Sequence, residues 1–235
     1  MEKSLEDLVK KARYELKFVS ETSRYSDLEQ WIVNHGACFF KEYSDRKVNN
    51  IYFDNHDLDS YSENLSGISS RTKIRLRWYG DQEDLTAKPA ALELKIKKNK
   101  IGWKHSEPIN FNQNFQNLTK NEIVTTITKQ LSNDFKNRFY FSNLPILANT
   151  YERSYYISAD KRVRITLDKN LLFYDQRLAE RLDFENLYRP ANIIVMECKC
   201  DANDLDYGQK VVEKVFLQPS KCSKYVLGVQ TLLGV

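Results

Sequence analysis

Thr72-Lys73-Ile74-Arg75-Leu76-Arg77-Trp78-Tyr79 alternates cationic and apolar side chains. Successive side chains of an extended strand point to opposite faces, so Lys73, Arg75 and Arg77 share one face and Ile74, Leu76 and Trp78 the other. Working outward, the same pattern recurs at Arg13-Glu15-Lys17, Glu93-Lys95-Lys97, Arg153, Arg162-Arg164 and Glu197-Lys199. These faces hold eleven basic residues against Glu15, Glu93, Asp168 and Glu197, a surplus of seven charges in a chain whose net charge is only +4. Solvated sheet faces usually mix both signs, because like charges on neighbouring strands destabilise their pairing. Positive charge concentrated on six strands calls for a polyanionic ligand.

The 235 residues, 41% hydrophobic and 12% aromatic, suffice for a single domain spanning 1–235 with a substantial core. Seven glycines and five prolines leave little room for flexible linkers. No run has the apolar length of a membrane span, and the N-terminus lacks a secretory pattern, so a cytoplasmic protein is expected. Cys198 and Cys200 share one strand face and, with Cys222, lack the spacing of a zinc site; they read as buried small hydrophobes. His35, His56 and His105 show neither triad nor metal spacing.

Strands are expected over 13–19, 48–54, 72–79, 92–98, 148–158, 163–167 and 193–200, with a polar loop over 80–90. Helices are expected over 4–12, after a Ser26/Glu29 capping box, over 58–65 with a stop near Gly67, after a Thr119/Glu122 capping box, and over 207–216. The segment 178–189 fits neither pattern. Many strands, few helices and no regular βαβ rhythm indicate an α+β fold with a largely antiparallel sheet.

Such a sheet could expose its cations as an open platform or enclose them in a barrel. Glutamates among the cations favour enclosure, since carboxylates oppose a bare phosphate backbone but supply oxygen ligands to Mg²⁺ or Mn²⁺ beside phosphates. The aromatics Tyr14, Phe18 and Trp78 lie on the opposite parity from the cations, which disfavours base stacking and hence nucleic acid. Tyr151 and Tyr155 share the parity of Arg153 and are the exception; Tyr155 and Tyr156 read as packing residues. Asp168 reads as a turn residue, and Lys97, Lys98 and Lys100 as a solvated strand end.

Arg13-Tyr14-Glu15-Leu16-Lys17, Ile51-Tyr52-Phe53-Asp54, Ile74-Arg75-Leu76-Arg77-Trp78-Tyr79-Gly80 and Leu92-Glu93-Leu94-Lys95 together resemble the VTC domain, the polyphosphate-polymerase branch of the triphosphate tunnel metalloenzymes (CYTH-like superfamily). Tyr151-Glu152-Arg153, Val163-Arg164-Ile165-Thr166-Leu167-Asp168, Met196-Glu197-Cys198-Lys199 and Ser220-Lys221-Cys222-Ser223-Lys224-Tyr225 continue the series in family order. The resemblance implies a closed antiparallel eight-stranded β-barrel with helices packed outside, whose tunnel holds a triphosphate and a divalent metal. It implies Arg75, Arg77, Lys95, Arg153, Arg164 and Lys224 as catalytic cations. Lys17, Lys104, Tyr151, Lys199, Lys221 and Ser223 would bind substrate phosphates. Glu197, with Glu15 and Glu93, would hold Mn²⁺ or Mg²⁺, although Glu15 and Glu93 could equally neutralise Lys17 and Lys95. Most tunnel enzymes begin Glu-x-Glu-x-Lys; Arg13 replaces the first acid here, which fits the polymerase branch better than a two-metal hydrolase.

The expected activity is transfer of the ATP γ-phosphate to a growing polyphosphate chain. The alternatives are a metal-dependent triphosphatase and a non-catalytic polyphosphate-binding module. The eukaryotic polymerases also carry a phosphate-sensing domain and membrane helices, so a bare catalytic domain, or one served by a separate membrane partner, is expected.

Overall fold

The computed structural model describes residues 13–80, 90–98, 101–114 and 117–235. The helix expected over 4–12 and most of the loop expected over 80–90 lie outside the described residues. Strands β1 (Arg13–Glu21), β2 (Phe40–Asp54), β3 (Ser70–Tyr79), β4 (Ala90–Lys98), β5 (Ile101–Ile109), β6 (Leu144–Ile157), β7 (Val163–Asp175) and β9 (Ile193–Asp201) form one sheet in the order β1-β9-β7-β6-β2-β3-β4-β5. A two-residue strand, β8 (Leu187–Tyr188), adds to β7 within the segment that fitted neither pattern. Every pairing is antiparallel. The first and last strands of that order, β1 and β5, come into contact. No hydrogen-bonded ladder joins them among the described residues.

Parity places the core. Ile74, Leu76 and Trp78 of β3 and Leu92 and Leu94 of β4 pack with Ile123 and Ile127 of α3 (Lys120–Gln130) and Phe135 and Phe139 of α4 (Asn133–Tyr140). On the far side, Phe18, Val163, Ile165, Met196, Cys198 and Cys200 pack with Leu28 and Ile32 of α1 (Tyr25–Val33) and Val211 and Val212 of α5 (Leu205–Val212). Cys198 and Cys200 are thus buried hydrophobes, as expected. The Thr119/Glu122 capping box forms with both reciprocal hydrogen bonds. The Ser26/Glu29 box does not: a 3-10 turn over Thr22–Arg24 runs directly into α1, leaving no capping position at Ser26. Helix α2 (Asp59–Ser66) stops at Gly67, whose φ of 73° suits glycine.

One helix departs from the expectation of helices packed outside. Tyr225 and Val229 of α6 (Lys224–Leu233) cluster with Tyr52, Leu147 and Phe173. Tyr52 stands opposite both Arg75 and Leu147 in the ladders, so this cluster lies on the cationic face of the sheet. The contact is close: a Cβ on Gly228 would sit 2.3 Å from Leu147 Cδ2 and 2.9 Å from Phe173 Cδ1. Gly228→Ala is therefore expected to destabilise the protein by about 1–3 kcal/mol through overpacking. A melting temperature equal to wild type would show that α6 has room to shift.

Candidate functional site: a cationic cavity on the concave face

Side chains from six strands and from the segment leading into α6 meet in one cavity of about 90 Å³. β3 contributes Lys73, Arg75 and Arg77, β4 Lys95, β1 Glu15 and Lys17, β9 Glu197 and Lys199, β6 Tyr151 and Arg153, β2 Tyr52; Ser223 and Lys224 complete the wall. Eight basic side chains and two carboxylates thus line it. The alternation of β3 and the register Arg75↔Glu93, Lys73↔Lys95, Lys17↔Glu197 and Thr166↔Glu197 bring these groups together.

The charges are cross-linked. Arg75 donates from Nε and Nη2 to Glu93 Oε2 at 2.7 and 2.6 Å. Lys104 reaches Glu93 Oε1 at 2.7 Å, and Arg77 lies 3.9 Å from the same carboxylate. Arg153 makes a two-pronged pair with Asp168 at 2.5 and 2.7 Å, and Lys224 Nζ stands 2.5 Å from Asp168 Oδ2. Lys17 bridges Glu15 and Glu197, each at 3.1 Å; Lys199 binds Glu197 at 2.6 Å and Lys95 binds Glu15 at 2.9 Å. Arg77 donates to Asn50 at 2.7 Å and to the Tyr151 hydroxyl at 3.0 Å.

Burial alone would raise the carboxyl of Glu197, but Lys17, Lys199, Lys224 and Arg153 hold it well below the usual carboxylate range. Burial and Glu197 likewise push Glu15 up, and Lys17, Lys199 and Lys95 outweigh them. Lys73 is different. Its Nζ donates to Ser223 Oγ at 2.8 Å. Burial, then the charges of Lys17, Lys95, Arg71 and Arg75, lower its pKa to about 6, so the amine is neutral at pH 7.

Eleven of the expected site residues line the cavity. Glu93 stands behind Arg75 as its counter-ion, the neutralising alternative weighed for it above, and Lys104 reaches that carboxylate with a half-exposed side chain. Arg164 points the same way as Asp168 but near the strand end, half exposed and 3.6 Å from Glu42, so it does not line the cavity. Lys221 is exposed. Asp168 is corrected: it sits inside β7, fully buried, because Arg153 and Lys224 both need its charge. Lys73 and Tyr52 were passed over, although Lys73 shares the parity of Arg75. Asp54 was also missed. It accepts from the amides of Asn55, Ser60 and Tyr61 and from the Tyr225 hydroxyl, the last at 2.6 Å, and so pins the start of α6 beside Lys224.

Among the described residues no three His, Cys, Asp or Glu side chains gather as a metal cage. Glu15 and Glu197, however, meet across Lys17 on the cavity wall. Mg²⁺ and Mn²⁺ sites of this kind need only one or two carboxylates when phosphates and water supply the other oxygens. The donor set therefore fits a divalent ion bound together with a phosphate chain.

Comparison with known proteins agrees with this geometry. The chain is 25% identical over 189 residues to vacuolar transporter chaperone complex subunit 2 of Saccharomyces cerevisiae, covering 70% of this chain and 22% of that protein. It is 26% identical over 190 residues to subunit 4 of the same complex from Schizosaccharomyces pombe, covering 66% and 26%. The chain thus spans about a quarter of the length of these relatives. A crystal structure assigned as an adenylate cyclase from Vibrio parahaemolyticus shares the fold, with a TM-score of 0.51 at 13% identity over 92% of this chain and 98% of that one. The VTC-domain family model matches residues 12–233, which include every strand that feeds the cavity, and the chain belongs to that family.

Proposed function

We propose that the chain is a polyphosphate polymerase domain that transfers the γ-phosphate of ATP to a growing inorganic polyphosphate chain. The observation that carries this reading is the excess of five positive charges on the wall of one small cavity, Lys73 being neutral. Two cations about 4 Å apart repel by roughly 4 kcal/mol at an effective dielectric near 20. A polyanion threaded among them relieves that repulsion. Phosphoryl transfer asks the protein mainly for position and charge stabilisation, and the site offers both without a Ser, Cys or His nucleophile.

Arg75, Arg77 and Arg153 grip phosphate oxygens through paired donors, while Lys17, Lys95, Lys199 and Lys224 act as mobile point charges. Tyr151 and Ser223 donate hydroxyl hydrogen bonds. Glu197 and Glu15 would hold Mg²⁺ or Mn²⁺, which supplies charge neutralisation to the phosphates when bound. Lys104, Lys221 and Arg164 serve the approach to the site, and Glu93 keeps Arg75 aligned. We take β1 and β5 to close the sheet into the tunnel.

No helix among the described residues is long and apolar enough to cross a membrane. With relatives named as subunits of a vacuolar transporter chaperone complex, we place this domain on the cytoplasmic side, working with a separate membrane partner.

Purified protein given labelled ATP and Mn²⁺ is expected to form long acid-labile phosphate chains. Orthophosphate as the sole product would replace this reading with hydrolysis, and triphosphate binding without turnover under any metal would replace it with a binding module. Glu197→Gln is expected to lower metal-dependent turnover at least tenfold while triphosphate still binds. Equal losses of turnover and binding would remove Glu197 from the metal.

A further inference from the structure

Beyond the cavity, the inner face continues into a cluster of aromatic rings. Arg153 links the two: its guanidinium lies 5.3 Å from the Tyr151 ring in the cavity wall and 5.9 Å from the Tyr155 ring outside it. The Tyr155 ring meets Tyr43 edge-on at 5.7 Å. Arg46 stands over Tyr43, Tyr155 and Tyr79, with guanidinium-to-ring distances of 4.6, 5.6 and 5.7 Å. Tyr43 and Tyr79 nevertheless remain 44% and 39% exposed, so part of each side chain is open to a ligand.

Two hydroxyls lie on the same face of the sheet as the rings and the cavity. Tyr155 on β6 and Thr166 on β7 are direct partners in the antiparallel register, on the face shared by Glu197. The Tyr155 Oη and Thr166 Oγ1 atoms are both buried and both lack a hydrogen-bond partner. A buried hydroxyl left unsatisfied keeps its full desolvation penalty, and a ligand hydroxyl that reaches it relieves that penalty.

Charge separates this region from the cavity. Here the cations are fewer, and an acid offsets one of them: Glu42 lies 3.6 Å from Arg164. A further stretch of polyphosphate gains little there. A planar uncharged ring gains stacking on tyrosine and arginine faces.

Resting on the reading of the cavity as a phosphate site, we propose that Tyr43, Tyr79 and Arg46 form a stacking platform for the base of a nucleoside triphosphate, with Tyr155 and Thr166 receiving its ribose. Stacking tolerates any base with a large π face, so ATP and GTP bind alike. The platform makes a nucleotide, rather than inorganic triphosphate, the preferred donor.

The test compares ATP, GTP and inorganic triphosphate by calorimetric titration of the whole chain with Mg²⁺ present. The double variant Tyr43→Ala/Tyr79→Ala alters two exposed side chains and so leaves the core intact. Its affinity for ATP and GTP is expected to fall roughly tenfold, with triphosphate affinity unchanged. Tyr155→Phe, which removes one hydroxyl, is expected to weaken ATP several-fold and triphosphate not at all. A double variant that keeps wild-type ATP affinity, or loses ATP and triphosphate affinity equally, would overturn the platform. Failure of triphosphate to bind the wild-type chain would instead bring down the phosphate-site reading, and the platform with it.

Discussion

Asp168→Ala is expected to destabilise the protein by about 3–5 kcal/mol, the cost of removing one partner from a buried ion pair. Asp168 has no exposed surface, and it answers both the Arg153 guanidinium and the Lys224 ammonium. Without it, two cations that now share one carboxylate are left side by side near the Tyr151 ring, which lies 5.3 Å from Arg153 and 4.8 Å from Lys224. Among the described residues, Glu197, 3.8 Å from each, would then remain as their counter-charge. Asp168→Asn keeps the shape and isolates the charge. Urea denaturation decides the matter: a loss below about 1 kcal/mol for both variants would mean that water already screens this trio. Triphosphate should recover much of the stability of Asp168→Ala, because its oxygens replace the missing carboxylate.

Lys73→Met should do the opposite, raising the stability of the ligand-free protein. Lys73 meets Lys17, Lys95, Arg71 and Arg75, and its one hydrogen-bond partner named above is the neutral Ser223 hydroxyl. Its folded pKa of about 6 lies below the roughly 10.4 of an unfolded lysine. Between those values the unfolded chain holds a proton that the folded chain lacks, so this residue makes stability rise with pH across that window. Its penalty is complete below about pH 6 and fades as pH climbs towards 10. Methionine removes the penalty. The gain in melting temperature should therefore be greatest near pH 6, worth about 1–3 kcal/mol after allowing for water at this half-buried site, and should vanish at high pH. Triphosphate should reverse the ranking. A phosphate oxygen makes protonated Lys73 favourable, and losing that charged hydrogen bond should weaken binding about ten- to a hundredfold. A gain in stability that does not change with pH would contradict this account.

Much of the fold was legible because strand parity is strict. The even spacing of Lys73, Arg75 and Arg77 against Ile74, Leu76 and Trp78 reappears as a concave and a convex face, with α3 and α4 on the convex one. Parity carries no information about depth. Arg164 and Asp168 share a face, yet one is half exposed beside Glu42 and the other is buried. Strand ends were also hidden. β2 begins at Phe40, eight residues before the expected Val48, because its outer half is polar and exposed. β7 runs on to Asp175, past the expected end at Leu167, carrying Asn170 in a left-handed conformation where the β6–β7 register shifts. β5 and α4 were not foreseen. The place of α6 could not be read from its own pattern, since its apolar residues suit a concave floor as well as an outer layer.

The carboxylates that cross-link the cavity wall would set a threshold for entry. Apart from Lys73, the cations of the wall already hold Glu15, Glu93, Asp168 or Glu197, so an oxyanion competes with a carboxylate for each of them, and a lone orthophosphate would carry too little charge to displace several at once. A longer chain exchanges them all in one event. On the proposed reading the cavity would act as an ion exchanger that counts linked charges, and a condensed phosphate would displace these carboxylates more readily than single phosphates do.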